Sequence, residues 1–361
     1  MFGLYIHIPF CKHICNYCDF PKKIPSNENQ IANYLDKIKK DILLYNDKFN
    51  LIDTIYIGGG TPNALPDKYL FTLLDFIRGL GIKPAEYTIE CNPELITDYQ
   101  AELFKSMGIT RVSLGVQTFN EAGIKMLGRH HTKAEAINSI EILRSHGLDN
   151  INIDLIFGYF NQTMAEFKED LEIVKALDLK HLSAYSLILE ENTMLYRLHK
   201  ERELDEDLIA DMYLYLMDYL EKLGYKHYEI SNFAKPQYES IHNIKYWQKT
   251  EYIGIGMGAT SYIDHRRITN SYLINKYLRD EDKFIEELSP FEEKQEAMMM
   301  GLRMMEGVNK DAYFKRFNSY PSDDFQYQKF IDEGLLEENN SSIFLTKKGY
   351  LLGNLVFEAF V

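Results

Sequence analysis

The residues best suited to chemistry are three cysteines near the start of the chain. Cys11, Cys15 and Cys18 fall within eight residues, so one loop can present three thiolates to a single inorganic centre. A cubane iron–sulfur cluster normally takes four cysteine thiolates, so three leave one iron open to a small molecule. Zinc is the alternative, because its tetrahedral sites also use cysteine and histidine ligands. Its fourth ligand would be His7, His13 or the distant Cys91.

A second group of candidates is glycine-rich or polar. The sequence GGGT at residues 58–61 has little side-chain bulk, so its backbone could approach a ligand closely, although three glycines also suit a simple tight turn. Four polar residues stand at or just after apolar runs: Glu90, Gln117, Arg129 and Asp154. Each of these residues alone is more often a solvated or capping residue. Their recurrence on consecutive units is what indicates a shared site.

The elements that must position these residues follow a regular pattern. Short runs rich in Ile, Tyr and Val alternate with segments of helical period such as 29–45 and 132–146, which is typical of repeated βα units and a parallel sheet. Six strands are predicted, at residues 4–9, 53–58, 86–92, 111–117, 150–157 and 181–189. In barrels built from such βα units, the reactive groups lie at the carboxyl ends of the strands. Five of the six predicted strands end in the cysteine cluster, the glycines or polar motifs. Cys91 lies inside the third predicted strand and is interpreted as a core residue, because free cysteine is usually buried.

The pattern changes after about residue 204. A long helix extends to residue 223 and is followed by the glycine-rich YIGIGMGATSY. The predicted organisation is α/β, with a partial (β/α)6 barrel at 1–204, an extension of the barrel at 205–288 and a small C-terminal α+β domain at 289–361. The last domain resembles a winged-helix unit, and a packing or lid role is preferred to DNA binding because the chain is acidic.

Composition excludes several other functions. The chain has 361 residues, with 40 basic and 54 acidic side chains and a net charge of -14, which disfavours nucleic acid as a partner. The first residues lack the features of a signal peptide, and no apolar run of about 18 residues predicts a membrane span. Clustered cysteines suit convergent thiolates better than disulfides, so a reducing, cytoplasmic location is predicted.

The cysteine spacing resembles the signature of the radical S-adenosylmethionine (SAM) superfamily. The pattern is C-x-x-x-C-x-x-C, with the aromatic Tyr17 just before the last cysteine. The resemblance implies a 4Fe-4S cluster held by the three cysteines. It also implies that SAM chelates the open iron through its amino and carboxylate groups, and that an electron from the cluster splits SAM to a 5′-deoxyadenosyl radical.

Nearly the whole chain is similar to the HemN-like branch of that superfamily. The matching motifs are ECNP, RVSLGVQ, LGRHH and NIDLIFG. They imply SAM contacts by Tyr5, Gly58, Gly59, Gly60, Thr61, Glu90, Gln117, Arg129, Asp154 and Thr260. One departure is the sequence GYFNQT at 158–163, where the branch has Gly-Leu-Pro before Gln-Thr. The missing proline frees one backbone φ, so the loop beyond Asp154 is expected to differ in shape.

Two types within the branch compete. Oxygen-independent coproporphyrinogen III oxidases carry a further cysteine where this chain has Phe20, and a longer segment before the cluster than the ten residues here. Both differences favour the HemW type of heme chaperone. The motif HNIKYW is similar to a HemW signature and implies heme contact through His242, Asn243, Tyr246 and Trp247. An imidazole can ligate heme iron and aromatic rings can pack on the macrocycle.

The resemblance also implies partners. These are heme, a heme-accepting protein such as a respiratory enzyme, and a flavodoxin or ferredoxin as electron donor. Contact with a membrane surface, heme ligation by His7 or Cys11, and a methyltransferase or heme-opening activity stay open at this point. Oxidation of coproporphyrinogen is the main alternative, and the motifs disfavour it.

Overall fold

The computed structural model describes residues 1–360, and six parallel strands form the centre of its large sheet. The strands pair in the order of the sequence. They are β1 (Phe2–Ile8), β2 (Ile52–Gly59), β3 (Glu86–Cys91), β4 (Arg111–Gln117), β5 (Ile151–Phe157) and β6 (His181–Ser186). The connecting helices are α1 (Glu28–Leu43), α2 (Asp67–Gly79), α3 (Asp98–Ser106), α4 (Glu121–Met126), α5 (Lys133–Ser145) and α6 (Met164–Leu177). The predicted α/β class and the six parallel strands are confirmed.

The two faces of these strands differ in chemistry. In β1, Leu4, Ile6 and Ile8 are fully buried in the main core, where the apolar stripe of α1 packs, while Tyr5 and His7 point to the opposite face. This alternation differs from the apolar run on both faces that parallel strands usually show. The inner face is therefore polar, and it surrounds the candidate site.

Strand β6 is three residues shorter than the predicted segment 181–189. The amide of Leu187 still donates to the carbonyl of Phe157 in the pairing of β5 with β6, and beyond it the Leu187 side chain packs in a small cluster with Tyr159 and Leu195. In the GYFNQT loop, Tyr159 and Phe160 stand where the branch has Leu and Pro, and both rings are buried. Its turn is closed by Gly158, at φ +72°, whose amide donates to Gln162 Oε1 at 2.6 Å.

Further strands extend the sheet at both edges to twelve strands. The helices and strands of this part are α7 (Met194–His199), α8 (Glu206–Lys222), β7 (Lys226–Glu229), β8 (Asn232–Ala234), α9 (Ile241–Trp247), β9 (Tyr252–Ile255), β10 (Thr260–Ile263), β11 (Arg266–Thr269), α10 (Ile274–Tyr277) and β12 (Phe284–Glu287). Strand β9 pairs in parallel with β1, and β8 pairs antiparallel with β6. The segment predicted as a barrel extension therefore contributes strands to both edges.

The C-terminal part has its own three-stranded sheet and its own hydrophobic core. Its elements are α11 (Pro290–Gly301), β13 (Val308–Asn309), α12 (Lys310–Phe317), α13 (Pro321–Asp324), α14 (Gln328–Asp332), β14 (Leu336–Glu338), β15 (Ser342–Leu345), α15 (Lys347–Leu351) and α16 (Gly353–Phe357). A small sheet with flanking helices agrees with the predicted α+β unit. None of the helices in residues 1–360 is long and apolar enough to cross a membrane.

Candidate functional site

One cavity of about 360 Å³ extends from the carboxyl ends of the parallel strands into the polar space between them. Its lining comes from the loop after β1, from β2 to β6 and from the start of α9. Since all these strands surround one cavity, the arrangement is a partial barrel.

The three clustered cysteines all line this cavity. The Thr61 hydroxyl donates to Cys11 Sγ at 3.5 Å, and Arg129 Nη1 donates to Cys15 Sγ at 3.3 Å. Burial raises the pKa of the Cys11 thiol and raises that of Cys18 to about 11. These two thiols therefore hold their protons near neutral pH, and binding of a metal centre must release them.

The cysteine loop is anchored at both ends. The Cys11 amide donates to the Lys23 carbonyl at 3.0 Å, and the Lys23 amide donates to the Pro9 carbonyl at 2.7 Å. On the other side, the Asn16 amide donates to the Leu127 carbonyl at 3.0 Å, next to the end of α4. The loop is thus fixed between the end of β1 and the end of α4, which orients its three thiols toward the cavity.

The glycines after β2 make room for a carboxylate. A Cβ on Gly58 would lie 2.7 Å from Glu90 Oε2, and one on Gly59, at φ +112°, would lie 2.3 Å from the His7 ring. Glu90 accepts hydrogen bonds from the Tyr56 hydroxyl at 2.7 Å and from the Gly59 amide at 2.9 Å. Burial raises the pKa of Glu90. The carboxylate is held at the cavity wall and is suited to a cationic amino group.

Two further polar groups come from β4 and the segment after α4. Gln117 ends β4 with a φ of +69°, where the register with β5 shifts, and such bulges re-aim a side chain. Arg129 is 8% exposed and donates to Asn92 Oδ1 at 3.0 Å and to the Gly115 carbonyl. The guanidinium thus links the cysteine loop to the end of β4.

Asp154 supplies a second carboxylate from β5. It accepts from Asn152 Nδ2 at 2.8 Å and from the Ser113 hydroxyl at 3.4 Å, and burial raises its pKa. Glu90 and Asp154 are thus two buried carboxylates supplied to the cavity by neighbouring parts of the sheet, and Arg129 also lines it.

The donor set fits an iron–sulfur cubane together with SAM. In residues 1–360, no three Cys, His, Asp or Glu side chains are grouped to hold a single metal ion. A cubane has no such requirement, because each thiolate binds its own iron. The loop supplies three thiols, and the glycine cradle and Glu90 lie on the same cavity, where SAM would fit.

Comparison with known proteins identifies the family. The model of the radical SAM superfamily matches residues 5–174, and that of the HemN C-terminal domain matches residues 288–352. The chain is 40% identical over 368 residues to the protein named heme chaperone HemW of Lactococcus lactis, covering 99% of this chain and 96% of that protein. It is 35% identical to that of Bacillus subtilis, covering 100% and 99%. The chain belongs to the HemW family.

The fold has a close counterpart among solved structures. Coproporphyrinogen III oxidase (HemN) of Escherichia coli superposes with a TM-score of 0.86 at 22% identity, over 99% of this chain and 89% of that one. At this identity the likeness concerns the fold alone. Membership of the HemW family, which is a radical SAM family, implies a 4Fe-4S cluster and SAM as cofactors and favours iron–sulfur over zinc.

The structure brings most of the candidate residues of this HemW-family chain to one cavity. Besides the cysteines, those lining it are Tyr17, Gly59, Gly60, Thr61, Glu90, Gln117, Arg129, Asp154 and Asn243. Those outside the lining are Tyr5, Gly58, Thr260, His242, Tyr246 and Trp247. Tyr5 donates to or accepts from His7 Nδ1 at 2.9 Å, and Thr260 bonds Thr269 between β10 and β11 at 2.9 Å. Neither of these two side chains is part of the cavity lining, so their contact with SAM stays a prediction.

Most of the HNIKYW motif lies outside the lining of the cavity, and only its Asn243 belongs to that lining. It forms α9, whose first turn is capped by Glu86 through the amides of Ile241 and His242 at 2.8 and 3.1 Å. His242 is 1% exposed, and its Nδ1 and Nε2 bond the hydroxyls of Thr54 and Tyr246, each at 2.9 Å. The expected axial ligation of heme by His242 therefore finds no free ring nitrogen here, because both would first have to lose a partner.

We expect His242→Ala to act mainly on stability. The Thr54 and Tyr246 hydroxyls would both lose a buried partner, at a cost of about 1–3 kcal/mol in the free energy of unfolding. Chemical denaturation measures this. His199→Ala, at a half-buried ring packed on Phe160, is the control and should change stability by less than about 1 kcal/mol. Unchanged stability with lost hemin binding would instead make His242 a heme ligand.

Several cavity residues were not predicted from the sequence. They are Tyr56, Arg111, Ser113, Asn152, Ser183 and Tyr185. Arg111 is 2% exposed and lines the cavity, and its buried Nε has no hydrogen-bond partner within residues 1–360. The sequence could have indicated these residues, because polar residues occupy alternate positions of β4, β5 and β6, as in RVSLGVQ. Strands of a parallel sheet that serve only the core are usually apolar on both faces.

Proposed function

We propose that this protein is a cytoplasmic heme chaperone that binds heme and a SAM-ligated 4Fe-4S cluster, and passes heme to an acceptor such as a respiratory enzyme. The observation that carries this proposal is similarity over 99% of the chain to a protein named heme chaperone HemW. An exposed Phe20, at the position where the oxidases of the branch have a further cysteine, also supports it.

The roles of individual residues follow from their contacts. Cys11, Cys15 and Cys18 would hold the cluster, and Arg129 would stabilise the Cys15 thiolate to which it donates. Glu90 would accept the SAM amino group, because its carboxylate is fixed at the glycine cradle. When bound, the cluster supplies the electron that splits SAM.

The mouth of the cavity carries apolar surface that SAM and a cluster do not require. Four large apolar or aromatic side chains at the lining are exposed, namely Ile14 at 46%, Phe20 at 61%, Tyr185 at 42% and Ile188 at 67%. Exposed apolar groups gathered at a cavity mark a binding surface for an apolar ligand or protein. This fits a heme chaperone, whose acceptor protein must dock on its surface close to the cargo.

Hemin titration of the anaerobically reconstituted protein tests the proposal. A Soret band that shifts and saturates at about one hemin per chain is the result expected of a chaperone that carries a single heme. The absence of saturable hemin binding would contradict the proposal. Transfer is tested by mixing the loaded protein with the heme-free form of a respiratory cytochrome and following the acceptor spectrum.

Oxidation of coproporphyrinogen III is the second candidate function, and the E. coli oxidase shares the fold. The same preparation, supplied with SAM and a reductant under anaerobic conditions, should leave coproporphyrinogen III undecarboxylated. SAM-dependent release of carbon dioxide from that substrate would establish the oxidase instead.

A further inference from the structure

A second cavity, of about 460 Å³, adjoins the first beside the cysteine loop. The two share Lys22 in their linings. The second is lined by four cations, Lys22, Lys23, Lys276 and Arg279, and by no carboxylate. In a chain with a net charge of -14, a cavity whose charged lining residues are all cations differs from the rest of the surface, and it favours anionic ligands.

These cations are available to a ligand. Within residues 1–360, Lys22 and Lys23 form no salt bridge. Lys276 pairs with Asp282 and Arg279 pairs with Glu281, but the four side chains are 39–61% exposed. Both pairs are exposed to solvent and screened by salt, so a propionate can compete with Asp282 for Lys276 and with Glu281, which binds Arg279 through two hydrogen bonds, for the guanidinium.

The same cavity also offers apolar surface. Tyr272 and Leu273 line it and are 64% and 58% exposed, and the buried Met257 forms part of the wall. Pro21 packs beside this wall, because a Cβ on Gly258 would lie 2.6 Å from its Cγ and 3.1 Å from the Tyr272 ring. A ligand that matches both features has a flat apolar body and anionic groups along one edge.

Heme has this chemistry, with an apolar macrocycle and two propionates on one edge. We propose that the heme propionates bind in the second cavity at Lys23, Lys276 and Arg279, with the macrocycle against Tyr272 and Leu273. The inference rests on the proposed function and locates its cargo. It places heme beside the cysteine loop and not at His242, which is buried.

Charge-removing variants of the full-length protein test this site. The variant Lys23→Gln/Lys276→Gln/Arg279→Gln should bind hemin at least about tenfold more weakly than wild type, since it loses charge-assisted hydrogen bonds to both propionates. Lys22 is left unchanged because its Nζ donates to the Cys18 carbonyl. The control changes the same number of remote, ion-paired lysines to glutamine: Lys226, Lys310 and Lys347.

A second test removes the anionic groups from the ligand instead of the cations from the protein. Hemin dimethyl ester lacks free propionates, so wild type and the triple variant should bind it with equal affinity. Iron content and circular dichroism verify that the variant is folded and carries its cluster. If wild type binds hemin and the triple variant binds it equally well, the propionate site is wrong and the proposed function stands. If wild type binds no hemin, the proposed function itself fails.

Discussion

Cys15→Ala should abolish the cluster. After anaerobic reconstitution, iron and acid-labile sulfide should fall from about four of each per chain to near zero, and the visible absorption of the cluster should disappear. Cys15 is one of the three clustered thiols in the lining of the cavity, and it receives the hydrogen bond of Arg129 Nη1 at 3.3 Å. With two thiolates left, two irons of a cubane would lack a protein ligand, so the cluster cannot be retained.

Cys91→Ala is the matched control, because it removes the remaining cysteine. Cys91 is 4% exposed and belongs to the main hydrophobic core, and although it also borders the cavity, it lies on β3 and outside the cysteine loop. We expect its removal to lower stability by about 1 kcal/mol, through the small space left behind, and to leave iron content unchanged. A Cys15 variant that keeps its iron would refute the assignment of the cluster. Zinc in place of iron and sulfide in wild type would point to the other metal.

The strands and the cluster loop could be predicted because local sequence determines them. β4 occupies the predicted residues 111–117, since its apolar positions alternate with Arg111, Ser113 and Gln117. Parallel strands bring their carboxyl ends to one edge, so residues that follow different strands were expected to meet. Glu90, Gln117 and Asp154 do line one cavity.

Contacts between distant segments could not be predicted in this way. The HNIKYW sequence suits a heme contact on its chemistry alone, yet its position depends on β2 and β3, which supply Thr54 and Glu86. Those residues lie more than 150 positions earlier in the chain. Periodicity states which face of an element is apolar but not which remote partner covers it. The cationic cavity arises likewise, from the loop after β1 meeting the segment around α10.

Glu90→Gln should weaken SAM binding while leaving the cluster in place. The substitution keeps the size of the side chain but removes the charge that would face the SAM amino group. A hydrogen bond to a charged group contributes about 1.5–3 kcal/mol, so affinity should fall by about tenfold to a hundredfold. The change in the electron paramagnetic resonance spectrum of the reduced cluster on addition of SAM measures this. Iron content should equal that of wild type, because Glu90 lies at the glycine cradle and is no thiolate ligand.

The control and the pH dependence separate charge from shape. Glu94→Gln removes a carboxylate four residues away that does not line the cavity, and it should bind SAM normally. Burial raises the pKa of Glu90, and only the ionised form attracts an ammonium group. Wild-type affinity should therefore fall as the pH is lowered through that raised pKa, whereas the Gln variant should show no such fall. If wild type and Glu90→Gln bound SAM with equal affinity and with the same pH dependence, the negative charge of Glu90 would contribute nothing to binding. Glu90 would then not belong to the SAM site.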